Sequence, residues 1–202
     1  VTLFDHDVKQ YSFAQLRGMV GIVPQQAVLF TGTIRDNMQW AAPGATDEEI
    51  WQALEIAQAA EFVRGKPGML DAPVETAGRN FSGGQRQRLT IARALVPKPK
   101  ILILDDSASA LDFATDAALR KAIKEETSGM TVFIVSQRTS SIRHADQIVV
   151  LDDGKVCDLK EDSTASTLLQ MMDAPKKGFA ISLSDPSDIP GFLHYMMEAG
   201  RS

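Results

Sequence analysis

Two carboxylates stand side by side where an apolar run stops: residues Ile101 to Asp106 read ILILDD. Acids often end strands and open turns, so Asp105 and Asp106 have a structural explanation in capping and solubility. They also have a chemical one, in which one carboxylate holds a hard divalent cation while its neighbour acts on a substrate. A second stretch, Asn80 to Leu95 (NFSGGQRQRLTIARAL), places Ser82 to cap a helix, with Gln85 three residues on and Gly83 and Gly84 where the helix opens. A hydroxyl, two residues without side chains and the free amides of a helix start form a surface for anions. An isolated SGG is more often a flexible loop. Here Arg86, Arg88 and Arg93, set among Leu89, Ile91 and Leu95, argue for a true amphipathic helix behind it.

The elements that must position these residues follow from the periodicity. Strand-like runs at Val1–Phe4, Val20–Val23, Ile101–Leu104, Thr131–Val135 and Gln147–Leu151 alternate with helical stretches, the pattern of an α/β fold with a mainly parallel sheet. Thr46 and Glu49 form a capping box ahead of EEIWQALEIAQAA, whose Ile50, Leu54 and Ala57 share one face. Asp153-Gly154 signals a hairpin into KVCDL. From Lys160 the character changes: a polar stretch, then TLLQMM and FLHYMM as candidate packing helices separated by a proline-rich segment. This sets an expected boundary between a domain at 1–159 and a tail at 160–202.

Composition narrows the class. The chain has 202 residues, 44% of them hydrophobic and 23% charged, enough for a sizeable core and ordinary for a globular protein. A formal net charge of -5 argues against a nucleic-acid surface. The lone Cys157 has no partner for an internal disulfide, and no cysteine and histidine cluster suggests zinc, so a reducing compartment is expected. His6, His144 and His194 show no partner pattern. No apolar run approaches the roughly 18 residues of a membrane helix. The first residue, Val1, opens what reads as a strand, so a fragment is expected.

Taken together, FSGGQRQRLTIARALVPKPKILILDDSASALD is similar to the signature helix, Walker B strand and D-loop of the ATP-binding-cassette (ABC) ATPases. Upstream, VGIVPQQAVLFTGTIRDNM resembles the Q-loop of the exporter branch, and TVFIVSQRTSSIRHADQIVVLDDGKV resembles its switch strand and closing hairpin. The resemblance covers about Val1 to Leu159. It implies a P-loop NTPase-like ABC core with a helical subdomain at about 34–95, and ATP with Mg2+ as nucleotide and cofactor. It further implies that Gln25 reaches the Mg2+ and the attacking water, that Asp105 holds the Mg2+ through water, and that Asp112 is the D-loop acid facing a partner cassette. Ser82, Gly83, Gly84 and Gln85 would meet the partner's nucleotide. For Gln25 the plainer alternative is a surface turn, and for Asp112 a helix cap.

Three departures from the family pattern matter. Asp106 stands where an active cassette has the glutamate base, with the same carboxylate on a stem shorter by about 1.5 Å. Gln137 stands where an active cassette has the switch histidine, and an amide neither takes up a proton nor carries positive charge near neutral pH. No GxxxxGK[ST] loop occurs: Gly65-Lys66 is followed by Pro67 and Gly154-Lys155 by Val156. This chain by itself is therefore expected to hold ATP weakly.

The expectation is a nucleotide-binding domain of an ABC exporter at the cytoplasmic face of a membrane. It would pair with a second ABC ATPase domain, as one half of a heterodimer, and with a transmembrane domain, and supply its signature motif to the partner's site. The alternatives are a competent ATPase using Asp106 as base, a non-catalytic remnant, and a nucleic-acid-associated cassette. The last would need a long coiled coil between Gln25 and Ser82, where only a compact helical stretch stands.

Overall fold

The computed structural model describes residues 1–107, 109–127, 129–136, 138–142, 145, 147–152, 155–156 and 179–183. In chain order its elements are β1 (Thr2–Leu3), β2 (His6–Asp7), α1 (Phe13–Met19), β3 (Val20–Val23), β4 (Gly32–Thr33), α2 (Ile34–Ala41), α3 (Asp47–Ile56), α4 (Ala60–Arg64), β5 (Pro73–Val74), α5 (Gly83–Leu95), β6 (Ile101–Asp105), α6 (Phe113–Glu126), β7 (Thr131–Ser136), α7 (Thr139–Ile142), β8 (Gln147–Asp152), β9 (Lys155–Val156) and β10 (Phe179–Leu183).

The main sheet runs β3-β6-β7-β10-β8-β9. β3, β6 and β7 are parallel, with Val23 opposite Leu104 and Asp105 opposite Val135. Leu102 and Leu104 are buried on one face of β6, while Ile101 and Ile103 on the other are partly buried, so no residue of this apolar run before Asp105 is fully exposed. The other half is antiparallel: β10 lies between β7 and β8, and β9 closes the edge on β8. A strand from beyond residue 160 is thus hydrogen-bonded into the same sheet. The ladder of β8 with β9 has the hairpin sense read from Asp153-Gly154, although those two residues lie outside the described ones. So do the TLLQMM and FLHYMM segments and Cys157.

The amino-terminal strand differs from the expectation. Only Thr2–Leu3 is extended, and it pairs with β2 in a separate hairpin, because Phe4 (φ 48°) and Asp5 (φ 64°) both turn left-handed and reverse the chain.

α2 to α5 cover the span 34–95, with β4 and β5 paired at its side. Both capping boxes read from the sequence are formed. The Glu49 amide donates to Thr46 Oγ1 at 3.3 Å and the Thr46 amide to Glu49 Oε2 at 3.1 Å. The Gln85 amide donates to Ser82 Oγ at 3.2 Å and the Ser82 amide to Gln85 Oε1 at 3.0 Å. Ile50, Leu54 and Ala57 are fully buried, which is the packing face of α3. α5 is the hinge between layers, since it packs on α2 and α3 on one side and on β3 on the other. The approach is close enough that a Cβ on Gly21 of β3 would stand 2.9 Å from the Ala94 carbonyl oxygen. A glycine is required there by space, not by φ. A continuous apolar core runs from Val23 and Leu102 of the sheet through Leu89, Ile91 and Leu95 of α5 to Ile34, Met38 and Leu54.

Candidate functional site: the carboxyl ends of the parallel strands and the start of α5

Parallel strands with crossover helices place the residues that follow them at one edge, where open α/β sheets carry their sites. Gln25 follows β3, Asp105 ends β6, and Asp106 follows it. Adjacent strands therefore bring together residues far apart in sequence: Gln25 Nε2 donates to Asp106 Oδ2 at 3.2 Å. Gln25 and Asp105 are exposed, and Asp106 is half-buried. Gln137 lies outside the described residues, directly after β7.

Asp106 has φ 42°, a left-handed backbone that aspartate tolerates better than most residues because its short carboxylate bonds locally. Its amide donates to the Val135 carbonyl at 2.9 Å, tying it to β7. Its own carbonyl accepts from the Ser109 amide at 3.2 Å and the Ser109 hydroxyl at 2.9 Å, which starts the turn toward α6. Asp112 ends that turn and caps α6, accepting from the Thr115 amide at 2.9 Å and the Thr115 hydroxyl at 2.8 Å. These bonds, the backbone one foremost, hold its carboxyl below the usual aspartate range. The capping role is thus realised in this chain.

The donor set suits Mg2+ of a nucleotide better than a resident metal. Among the described residues there is no group of three or more His, Cys, Asp or Glu side chains placed to hold an ion. Mg2+ takes one or two carboxylates and fills its remaining positions with water and phosphate oxygens, so Asp105 at an open strand end, with the Gln25 amide nearby, fits that demand. There it would neutralise phosphate charge.

The start of α5 is a second locus, and no hydrogen bond among the described residues joins it to Gln25, Asp105 or Asp106. Ser82 and Gly83 are exposed. The two glycines differ in kind. A Cβ on Gly84 would stand 3.2 Å from the Ala110 carbonyl oxygen, so its reason is internal. A Cβ on Gly83 would meet nothing within 4 Å among the described residues.

The arginines of α5 turn inward to the helical subdomain. Arg86 donates to the Phe81 carbonyl at 2.7 Å, and Arg88 donates to the Gln58 carbonyl at 2.6 Å with its guanidinium over Phe62. Burial lowers the pKa of Arg88, and the nearby Asp112 and Glu61 charges oppose this.

Two groups escape a reading from spacing alone. Phe30 and Trp40 meet with ring centroids 4.9 Å apart and planes tilted by 44°, and are 41% and 68% exposed, with the largely buried Arg93 guanidinium over both rings. Asn37, bonded both ways to the Phe30 backbone at 2.9 Å, fixes this loop. Arg138 reaches across to the turn after Asp106, donating to the Ser109 carbonyl at 3.0 Å and the Leu111 carbonyl at 3.4 Å. The only sequence signal was that both groups flank the Q-loop and switch positions.

Comparison with known proteins agrees with this geometry. The family model described as ABC transporter matches residues 1–109. The chain is 40% identical over 156 residues to the uncharacterised ABC transporter ATP-binding protein YwjA of Bacillus subtilis, covering 77% of this chain and 27% of that protein. It is 46% identical over 150 residues to the beta-(1-->2)glucan export ATP-binding/permease protein NdvA of Rhodopseudomonas palustris, covering 74% of this chain and 25% of the relative. The chain thus spans about a quarter of the length of these relatives. A bacterial Atm1-family ABC exporter solved with ATP bound superposes with a TM-score of 0.76 at 29% identity, over all of this chain and 32% of that one. The carboxylate pair at the end of β6, the capped SGGQ turn of α5 and these likenesses lead to one conclusion: the chain belongs to the ABC transporter family, as a nucleotide-binding domain of the exporter type.

Proposed function

We propose that this domain couples ATP binding and hydrolysis to transport at the cytoplasmic face of a membrane, as the degenerate half of a heterodimeric exporter that completes its partner's active site with Ser82, Gly83, Gly84 and Gln85. The observation that carries the reading is the open turn at Gly83. Among the described residues nothing lies within 4 Å of a Cβ placed there, so the turn leaves open space at a capped helix start suited to the phosphate oxygens of a ligand outside the chain. The Walker side supports the division of labour. Asp106 is a methylene shorter than the family's base, Gln137 lacks the protonation of the family's histidine, and a misplacement of about 1 Å costs on the order of a hundredfold in rate. Asp112 and the exposed signature turn would face the partner cassette. The Phe30 and Trp40 shelf, an exposed apolar patch beside the Gln25 loop, would face the transmembrane domain.

The test uses the full-length gene product purified with its partner cassette. Ser82→Arg puts a long cation on an exposed position at the anion-binding turn. Loss of most Mg2+-dependent ATP hydrolysis is the expected result, and an unchanged rate would overturn the reading.

One observation favours a second reading, a competent ATPase with Asp106 as base: its carboxylate already reaches the Gln25 amide, so the short stem does not remove it from the site.

A further inference from the structure

The turn between Asp106 and α6 is held from two directions. Its carbonyls at Ser109 and Leu111 accept from the Arg138 guanidinium, at 3.0 and 3.4 Å. The carbonyl between them, on Ala110, lies against Gly84 of α5, 3.2 Å from where a Cβ would stand. Arg138 is itself anchored at the end of β7: its amide donates to Ser136 Oγ at 3.0 Å, and Ser136 is 1% exposed. Its guanidinium also lies 5.9 Å from the centroid of the Phe113 ring, at the first turn of α6. A planar guanidinium with several donors in a fixed fork suits two carbonyls spaced one residue apart, where a lysine would serve one at a time.

We propose that Arg138 is a positioning residue that fastens the end of β7 to Ser109 and Leu111 of the turn before α6, and through Ala110 to Gly84, so that the Asp106 end and the signature end of one chain move together. When β7's end shifts, the forked bonds carry the shift to Ser109 and Leu111. Ala110 then shifts against α5, where the missing side chain of Gly84 makes room for its carbonyl. The consequence for hydrolysis rests on the proposed function; the clamp itself rests on these contacts.

Hydrogen–deuterium exchange on the full-length, nucleotide-free protein tests the clamp. Removing two charge-assisted bonds with Arg138→Ala should raise exchange within residues 109–112 about tenfold while the core of α3 and α5 keeps its protection. Arg138→Lys should restore part of that protection. In the assembled transporter the alanine variant should lower kcat about tenfold, with KM for ATP within about twofold of the parent. Wild-type exchange in Arg138→Ala overturns the proposal, and so does faster exchange with full kcat. Failure of the underlying functional reading would register differently, as hydrolysis indifferent to Ser82→Arg while the exchange result stands.

Discussion

Replacing Asp106 with glutamate restores one methylene at the position where the chain departs from an active cassette. The carboxylate now sits 3.2 Å from Gln25 Nε2, held by a backbone that is fastened at both ends, by the Val135 carbonyl on one side and Ser109 on the other. On that fixed backbone glutamate adds about 1.5 Å of reach. Since a misplacement near 1 Å is worth on the order of a hundredfold, hydrolysis at this site should rise by about one to two orders of magnitude, less what the absence of a switch histidine withholds. The left-handed φ of 42° sets a cost, because glutamate lacks the short local bonding of aspartate and loses about 1 kcal/mol of stability there. The assay is single-site turnover in the full-length transporter with the partner cassette's own base neutralised, and Asp106→Asn as the background. A rate unchanged by Asp106→Glu, with Asp106→Asn abolishing it, would refute the argument from reach and establish Asp106 as a sufficient base.

Gly83→Ala should leave stability equal or raise it by about 0.5–1 kcal/mol, since Ala costs less backbone entropy and meets no atom, yet lower ATP hydrolysis of the assembled pair; thermal melts beside turnover check both halves. Gly21→Ala should destabilise by about 1–3 kcal/mol, because its Cβ would press on the Ala94 carbonyl oxygen at 2.9 Å and neither backbone can yield freely; denaturant melts measure it. The Asp112 carboxyl is held below its usual range by the Thr115 bonds, so its contribution to stability is complete above the unfolded value of about 3.9 and is lost as pH falls through the lower folded value. Melts across acid pH should therefore fall less steeply in Asp112→Asn than in the parent.

Local chemistry was legible in the residues. The boxes at Thr46 with Glu49 and Ser82 with Gln85 close through side chains three residues apart, so spacing alone specifies them. The apolar face of α3 and the strand at Ile101 follow from periodicity for the same reason. The carboxylate pair and the SGGQ turn were legible as chemistry because their residue types and order limit what they can bind.

Tertiary structure decided what long-range packing controls. It joined Gln25 to Asp106 across two adjacent parallel strands, and it separated the reasons for two neighbouring glycines, one filled by the Ala110 carbonyl and one left open. It seated β10 between β7 and β8, and it engaged the arginines of α5 with backbone carbonyls and aromatic rings of their own subdomain. Arg138 carries no periodic signal, because the two carbonyls it holds, on Ser109 and Leu111, are groups every residue possesses and only the fold brings them within reach. Sequence specifies interactions whose partners lie within a helical turn or a strand repeat; contacts between backbone and side chain across elements depend on how the layers meet.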